Sequence, residues 1–132
     1  MPEDERAALV GEWLRYAEED LALAHGGLGQ RQLFQPRQVC FSAQQAAEKA
    51  IKAGCIAADV GFPFIHDLAK LAGLLPPSQI VTADIGDLAR LSDWATATRY
   101  PGEDEPDWAE AERSVKTAET VVADVRASLD DS

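Results

Sequence analysis

Two cysteines, two histidines and one methionine in 132 residues leave little material for metal or redox chemistry. Cys40 and Cys55 fall within one predicted helix, about 22 Å apart at its rise per residue, far beyond the roughly 7 Å a disulfide spans. Two separated histidines and two separated cysteines do not make a zinc ligand set, so neither a metal nor a cofactor is expected. The chain also lacks C-x-x-C, H-E-x-x-H, a glycine-rich phosphate loop, a dinucleotide fingerprint and a nucleophile elbow, which removes the enzyme classes built on them. No apolar run approaches the ~20 residues of a membrane span. Met1–Arg6 is acidic, without the basic start and apolar core of a secretory signal, and a cytoplasmic location is expected. Positive charge is scarce as well: 12 Lys and Arg against 23 Asp and Glu give a net charge of -11. General steering of phosphates toward the surface is thereby disfavoured. Arg31 and Arg37 flank a loop while Lys49 and Lys52 share a helix, so phosphate recognition would need a local cationic groove.

What is present is helix. The length gives a single domain, residues 1–132, with a core large enough to need no staples, and the 46% hydrophobic and 27% charged content is that of a soluble globular chain. Val39–Ala58, VCFSAQQAAEKAIKAGCIAA, organises the remainder. At about 100° per residue, Cys40, Ala43, Ala47, Ala50, Ile51, Gly54 and Ala58 share one face. Such a small-residue seam lets neighbouring backbones approach closely, so this helix is expected at the centre of a bundle. Beside the seam runs a polar ladder, Gln44, Glu48 and Lys52 at i, i+4 and i+8, in the favourable Glu-before-Lys order. Phe41 and Gln45 flank it.

The other segments follow in order. Glu3, Asp4 and Glu5 suit the positive end of a first helix, with a seam at Val10, Leu14, Ala17, Leu21 and Ala24 and an end at Gly26, Gly27 and Gly29. Asp20 lies at the margin of that seam. A loop at 30–35 precedes Pro36, which fits a first helical turn. His66–Leu74 forms a short helix closed by Pro76-Pro77, with His66 at its start. Ser78–Thr98 is read as a fourth helix with Ile85, Leu88, Ser92 and Ala95 on one face and Arg99 continuing it, whereas Trp94 points away. A guanidinium on that face must be paired or line a groove. After an acidic connector at 101–107, a last helix carries Trp108, Ala111, Val115, Ala118, Val122, Val125 and Leu129 three and four apart. The expected fold is all-α, an up-and-down antiparallel bundle of four main helices plus one short one.

Phe41–Ala53, FSAQQAAEKAIKA, resembles the core motif of the HEPN domain family. Ile65–Leu71, IHDLAKL, is similar to the family's segment after the central helix, Arg99-Tyr100-Pro101 to its Arg-Tyr-Pro signature, and Ala17–Ala24 to its first helix. The resemblance covers nearly the whole chain. One departure bears on activity: HEPN ribonucleases carry an Arg followed after four to six residues by a His, and here Asp104, Glu105 and Pro106 occupy those places after Arg99. In another, Ile65 stands where a small hydroxyl residue commonly precedes the His-Asp pair.

The resemblance implies a non-catalytic nucleotide-binding and interaction module, a homodimer paired with a minimal nucleotidyltransferase, as a toxin-antitoxin-like or substrate-binding subunit. Gln44, Glu48, Lys52, His66, Arg99, Tyr100 and Asp20 are its candidate ligand-binding residues, without catalytic or metal-binding ones. The alternative is a divergent ribonuclease toxin acting on RNA, in which Arg99 and His66 meet in space. Leu9, Trp13, Tyr16 and Trp94 supply aromatic and apolar surface for a dimer.

Overall fold

The computed structural model describes residues 1–96 and 100–130. Among them the chain is all-α: α1 (Glu3–Gly29), α2 (Pro36–Ala57), α3 (Leu68–Ala72), α4 (Ile85–Ser92) and α5 (Trp108–Asp130). Most of these helices carry their start signal in their own residues. Pro36 occupies the first turn of α2, and Gln35 and Gln38 cap it reciprocally, Gln38 Oε1 accepting the Gln35 N–H at 2.7 Å. Asp67 caps α3 through the Lys70 N–H, Asp84 caps α4 through the Gly86 N–H, and Asp107 holds the Glu110 N–H at the start of α5.

α2 is the axle, touching each of the other four helices. Its seam from Cys40 to Gly54 is buried, and the burial continues round the helix to Val39, Ala46, Ala53 and Cys55. Alanine explains why. With α1 and α5 packed close over methyl groups, the edges of α2 are covered too, so the ladder expected beside the seam lies inside it. α1 contributes Leu14, Ala17 and Ala24, and α5 contributes Ala111, Val115, Ala118, Val122 and Val125 from the expected stripe. Both cysteines are buried and neither is in a disulfide; burial pushes the Cys55 thiol up, only partly offset by the Lys52 charge.

Three local expectations are corrected. Gly26 and Gly27 do not end α1, which runs to Gly29. Gly27 is a packing residue: a Cβ there would meet the Val39 and Phe34 side chains, so its hydrogen lets the end of α1 close on the start of α2. The fourth helix spans Ile85–Ser92, not Ser78–Thr98, because residues 78–84 are tied down elsewhere: Gln79 to the Gly54 carbonyl of α2 at 2.9 Å, and the Thr82 N–H and hydroxyl to Asp124 of α5, each at 2.7 Å. Its buried face is Leu88 and Leu91, leaving Ile85 exposed at the first turn. The chain turns after Ser92, so the helical face does not carry through to Trp94, which packs against the core instead of pointing away. Arg99, with Ala97 and Thr98, lies outside the described residues.

Candidate functional site

Glu48 is the centre of the polar ladder and a charged residue in the core, only 6% exposed on a helix whose buried face is rich in alanine. Its Oε1 accepts Gln44 Nε2 at 2.9 Å and meets His66 Nδ1 at 2.7 Å, while Oε2 accepts Lys52 Nζ at 3.0 Å. Lys52 is itself buried, and its ammonium sits 5.5 Å from the centroid of the Phe62 ring. Gln44 is fully buried and takes a hydrogen bond from Gln45 Nε2 at 2.7 Å. Desolvation by itself drives the Glu48 carboxyl up. The hydrogen bonds from Gln44, His66 and Lys52, with the Lys52 charge, outweigh it and hold Glu48 below the usual carboxylate range.

The helical spacing builds this cluster. Gln44, Glu48 and Lys52 follow one another at single turns of α2, and the loop between α2 and α3 brings His66 over them before Asp67 starts α3. Ile65 therefore costs the helix no cap. His66 closes Glu48 from the solvent side, its side chain 62% exposed. From there it opens onto a cavity of about 380 Å³ shared with Asp67, Ala89, Ser92 and Asp93.

The remaining candidates lie in other surroundings. Asp20 forms an ion pair with Lys49 at 2.5 Å and edges an apolar groove of about 300 Å³ with Leu23, Phe34 and Phe41. Tyr100 is exposed and lines a separate cavity of about 300 Å³ with Arg37, Pro101 and Glu105. Arg99 is outside the described residues. The four cations that offered a local groove each meet a carboxylate: Arg31 with Glu112, Arg37 with Glu105, Lys49 with Asp20 and Lys52 with Glu48. Among the described residues, no group of three or more His, Cys, Asp or Glu side chains could hold a metal ion, and no helix is long and apolar enough to cross a membrane.

Two participants escaped the sequence reading. Phe62 read as connector hydrophobicity, yet it carries the Lys52 ammonium. Ser92 read as part of an apolar stripe, yet its hydroxyl donates to the Leu88 carbonyl at 2.8 Å and accepts the Leu68 N–H at 2.9 Å, joining α4 to α3 beside His66. A serine one residue after Leu91 at the end of a helix was the available signal.

The family model described as HEPN domain matches residues 10–128. Among solved structures, the chain is similar to the crystal structure of TT1696 from Thermus thermophilus, with a TM-score of 0.75 and 30% identity over 90% of this chain and 97% of that one. No match was found among curated proteins.

Proposed function

This chain belongs to the HEPN domain family, and from that premise we propose that it is a non-catalytic nucleotide-binding and interaction module, cytoplasmic and homodimeric, working beside a minimal nucleotidyltransferase. The observation that carries the reading is the cluster of Gln44, Glu48, Lys52 and His66, internally hydrogen-bonded and opening through His66 onto a cavity. Of these four His66 lines the cavity, and Gln44, Glu48 and Lys52 hold it from behind. In this reading Arg99 supplies the cation for an anionic ligand, with Tyr100 beside it in sequence, while Asp20, paired with Lys49, edges a separate groove. The absence of a His at the ribonuclease spacing after Arg99 supports a binding role. Leu9, Tyr16 and Leu23 recur every seven residues along α1 and are all exposed, which supports a dimer seam on that face. Light scattering is expected to give twice the 14.2 kDa chain mass, and calorimetric titration with ATP or GTP is expected to show binding that Arg99→Ala weakens more than it weakens dimerisation. A clean monomer at high micromolar concentration removes the dimer, and no heat with either nucleotide, with or without a nucleotidyltransferase partner, removes the ligand.

One observation favours the second reading, a divergent ribonuclease. The buried carboxylate of Glu48 on His66 Nδ1 is the arrangement in which an imidazole moves protons, and Arg99 would stabilise the charge of the phosphorane. RNA cleavage abolished by His66→Ala supports it. An intact substrate after prolonged incubation with the unaltered protein ends it.

A further inference from the structure

Two arginines that the sequence alone did not bring together meet on one buried carboxylate. Glu110, in the first turn of α5, has a side chain only 9% exposed. Its Oε1 accepts Arg90 Nε from α4 at 2.9 Å, and its Oε2 accepts Arg113 Nε from the next turn of α5 at 2.9 Å, with Arg113 Nη2 2.8 Å from the same oxygen. Both carboxylate oxygens are thereby engaged, and each guanidinium is held along its Nε side. A guanidinium carries five N–H donors in a planar fork. Arg90 uses one of them on Glu110 and Arg113 two, which leaves the terminal edge of each fork open. The two half-exposed side chains border a cavity of about 620 Å³ between α4, the connector at 101–107 and α5, within the ~300–1,000 Å³ range of small-molecule pockets.

One carboxylate between two guanidiniums leaves the trio with a positive charge in excess, fixed in place from behind. The connector borders the same cavity with Glu103 and Asp104, yet neither pairs with either arginine. Its other acids are engaged elsewhere: Asp107 accepts the Glu110 N–H at 2.8 Å, and Glu105 pairs with Arg37 at 3.3 Å. The chain's own carboxylates therefore leave both forks open on the cavity side. A net charge of -11 gives an anion no general attraction to this protein, so what draws one here must be contact with the forks, whose geometry matches phosphate oxygens bidentately. A single phosphate would fill a small part of the space, whereas a chain of phosphates can engage both arginines. We propose that this cavity is a binding site for a polyphosphate group, with Arg90 and Arg113 as its donors. The site is separate from the cluster around Glu48 and stands without the nucleotide reading. Its ligand is the phosphate chain, free or as the tail of a nucleoside triphosphate.

Calorimetric titration of the full-length protein with sodium tripolyphosphate, at ~0.15 M ionic strength so that exposed charges more than ~8 Å apart are screened, is expected to show binding. In proton–nitrogen spectra the side-chain Nε–H signals of Arg90 and Arg113 are expected to move in the same titration. No heat, or heat with both arginine signals fixed, overturns the inference. Arg90→Gln leaves Arg113 on Glu110, so the buried carboxylate keeps a partner, and it is expected to weaken tripolyphosphate binding on the order of tenfold. Arg90→Lys keeps the charge and the ion pair but not the fork, and is expected to lose nearly as much; undiminished affinity in either folded variant overturns the proposal. Glu103→Gln/Asp104→Asn removes the repelling rim and is expected to tighten binding severalfold, whereas weaker binding would place the contact on the rim and overturn it. Inorganic phosphate that binds as tightly as tripolyphosphate overturns the polyphosphate assignment. Between the two sources, equal affinities for ATP and tripolyphosphate identify the free chain, and tighter binding of ATP identifies the nucleotide. If ATP binds while the arginine signals stay fixed, the nucleotide reading stands and this site fails; if tripolyphosphate moves them and ATP binds nowhere else, this site stands and the nucleotide placement at Glu48 fails.

Discussion

Replacing Glu48 with alanine is expected to destabilise the protein by ~3–5 kcal/mol, the cost of stranding the partner of a buried ion pair. For a chain of this size that corresponds to a fall in Tm on the order of 10 °C. The direction follows from what remains. Lys52 keeps its charge while about nine-tenths buried, Gln44 loses its Glu48 acceptor, and the Phe62 ring still faces the ammonium. The double variant Glu48→Ala/Lys52→Met removes the stranded charge and is expected to recover at least half of the loss. A double variant no more stable than the single one would place the cost in the Gln44 and His66 contacts instead.

The same cluster makes stability depend on pH. Because the folded state holds Glu48 below its usual range, the stabilisation is complete above the unfolded carboxylate value of about 4.3 and is lost as pH falls through the lower folded value. Lys52 faces Glu48 from its own helix and His66 from the loop ahead of α3. The advantage of the unaltered chain over Glu48→Gln in thermal melts is therefore expected to be full at pH 7 and to shrink below ~pH 4. A constant advantage across that range would mean that the carboxylate charge contributes nothing.

The bundle was readable because its long helices carry their seams as plain 3.6-residue periodicity. The seven-residue stripe of α5 and the alanine face of α2 needed no tertiary information. α4 was overread because Ser78–Thr98 contains helix-compatible residues throughout, and the contacts that hold residues 78–84 out of a helix, to Gly54 and Asp124, lie 25 and 42 residues away in sequence. Asp84, a good N-cap residue just before Ile85, marked the true start. The glycines at the end of α1 misled for a related reason: a glycine that ends a helix and one that admits a neighbouring side chain look alike until the neighbour is known. The ladder on α2 was legible as spacing, and His66 as a motif residue, but their meeting depended on the path of the connecting loop. No spacing rule separated Asp20, which pairs with Lys49, from the cluster around Glu48.

The second large effect is expected at Gly54, where helix propensity and packing oppose each other. Propensity favours Gly54→Ala by ~1 kcal/mol, since Gly54 lies inside α2. Packing opposes it. A Cβ at this position would collide with Gln79 Oε1 and touch the end of the Leu75 side chain. Gln79 cannot swing aside without breaking its 2.9 Å bond to the Gly54 carbonyl, and the side chain is enclosed between the loop and α2. Losing that buried bond costs ~1 kcal/mol, and overpacking the contact adds ~1–3 kcal/mol. Packing wins, and Gly54→Ala is expected to lower stability by roughly 1–3 kcal/mol, the sum of these opposing effects. Shortening the obstacle should reverse much of it. In a Gln79→Ala background the same substitution is expected to be nearly neutral or stabilising, because the space is then open and the helix gains an alanine. Denaturant unfolding of the four proteins in this cycle measures the coupling. If Gly54→Ala stabilises the unaltered chain, the close approach of residues 75–79 to α2 is not what requires glycine there.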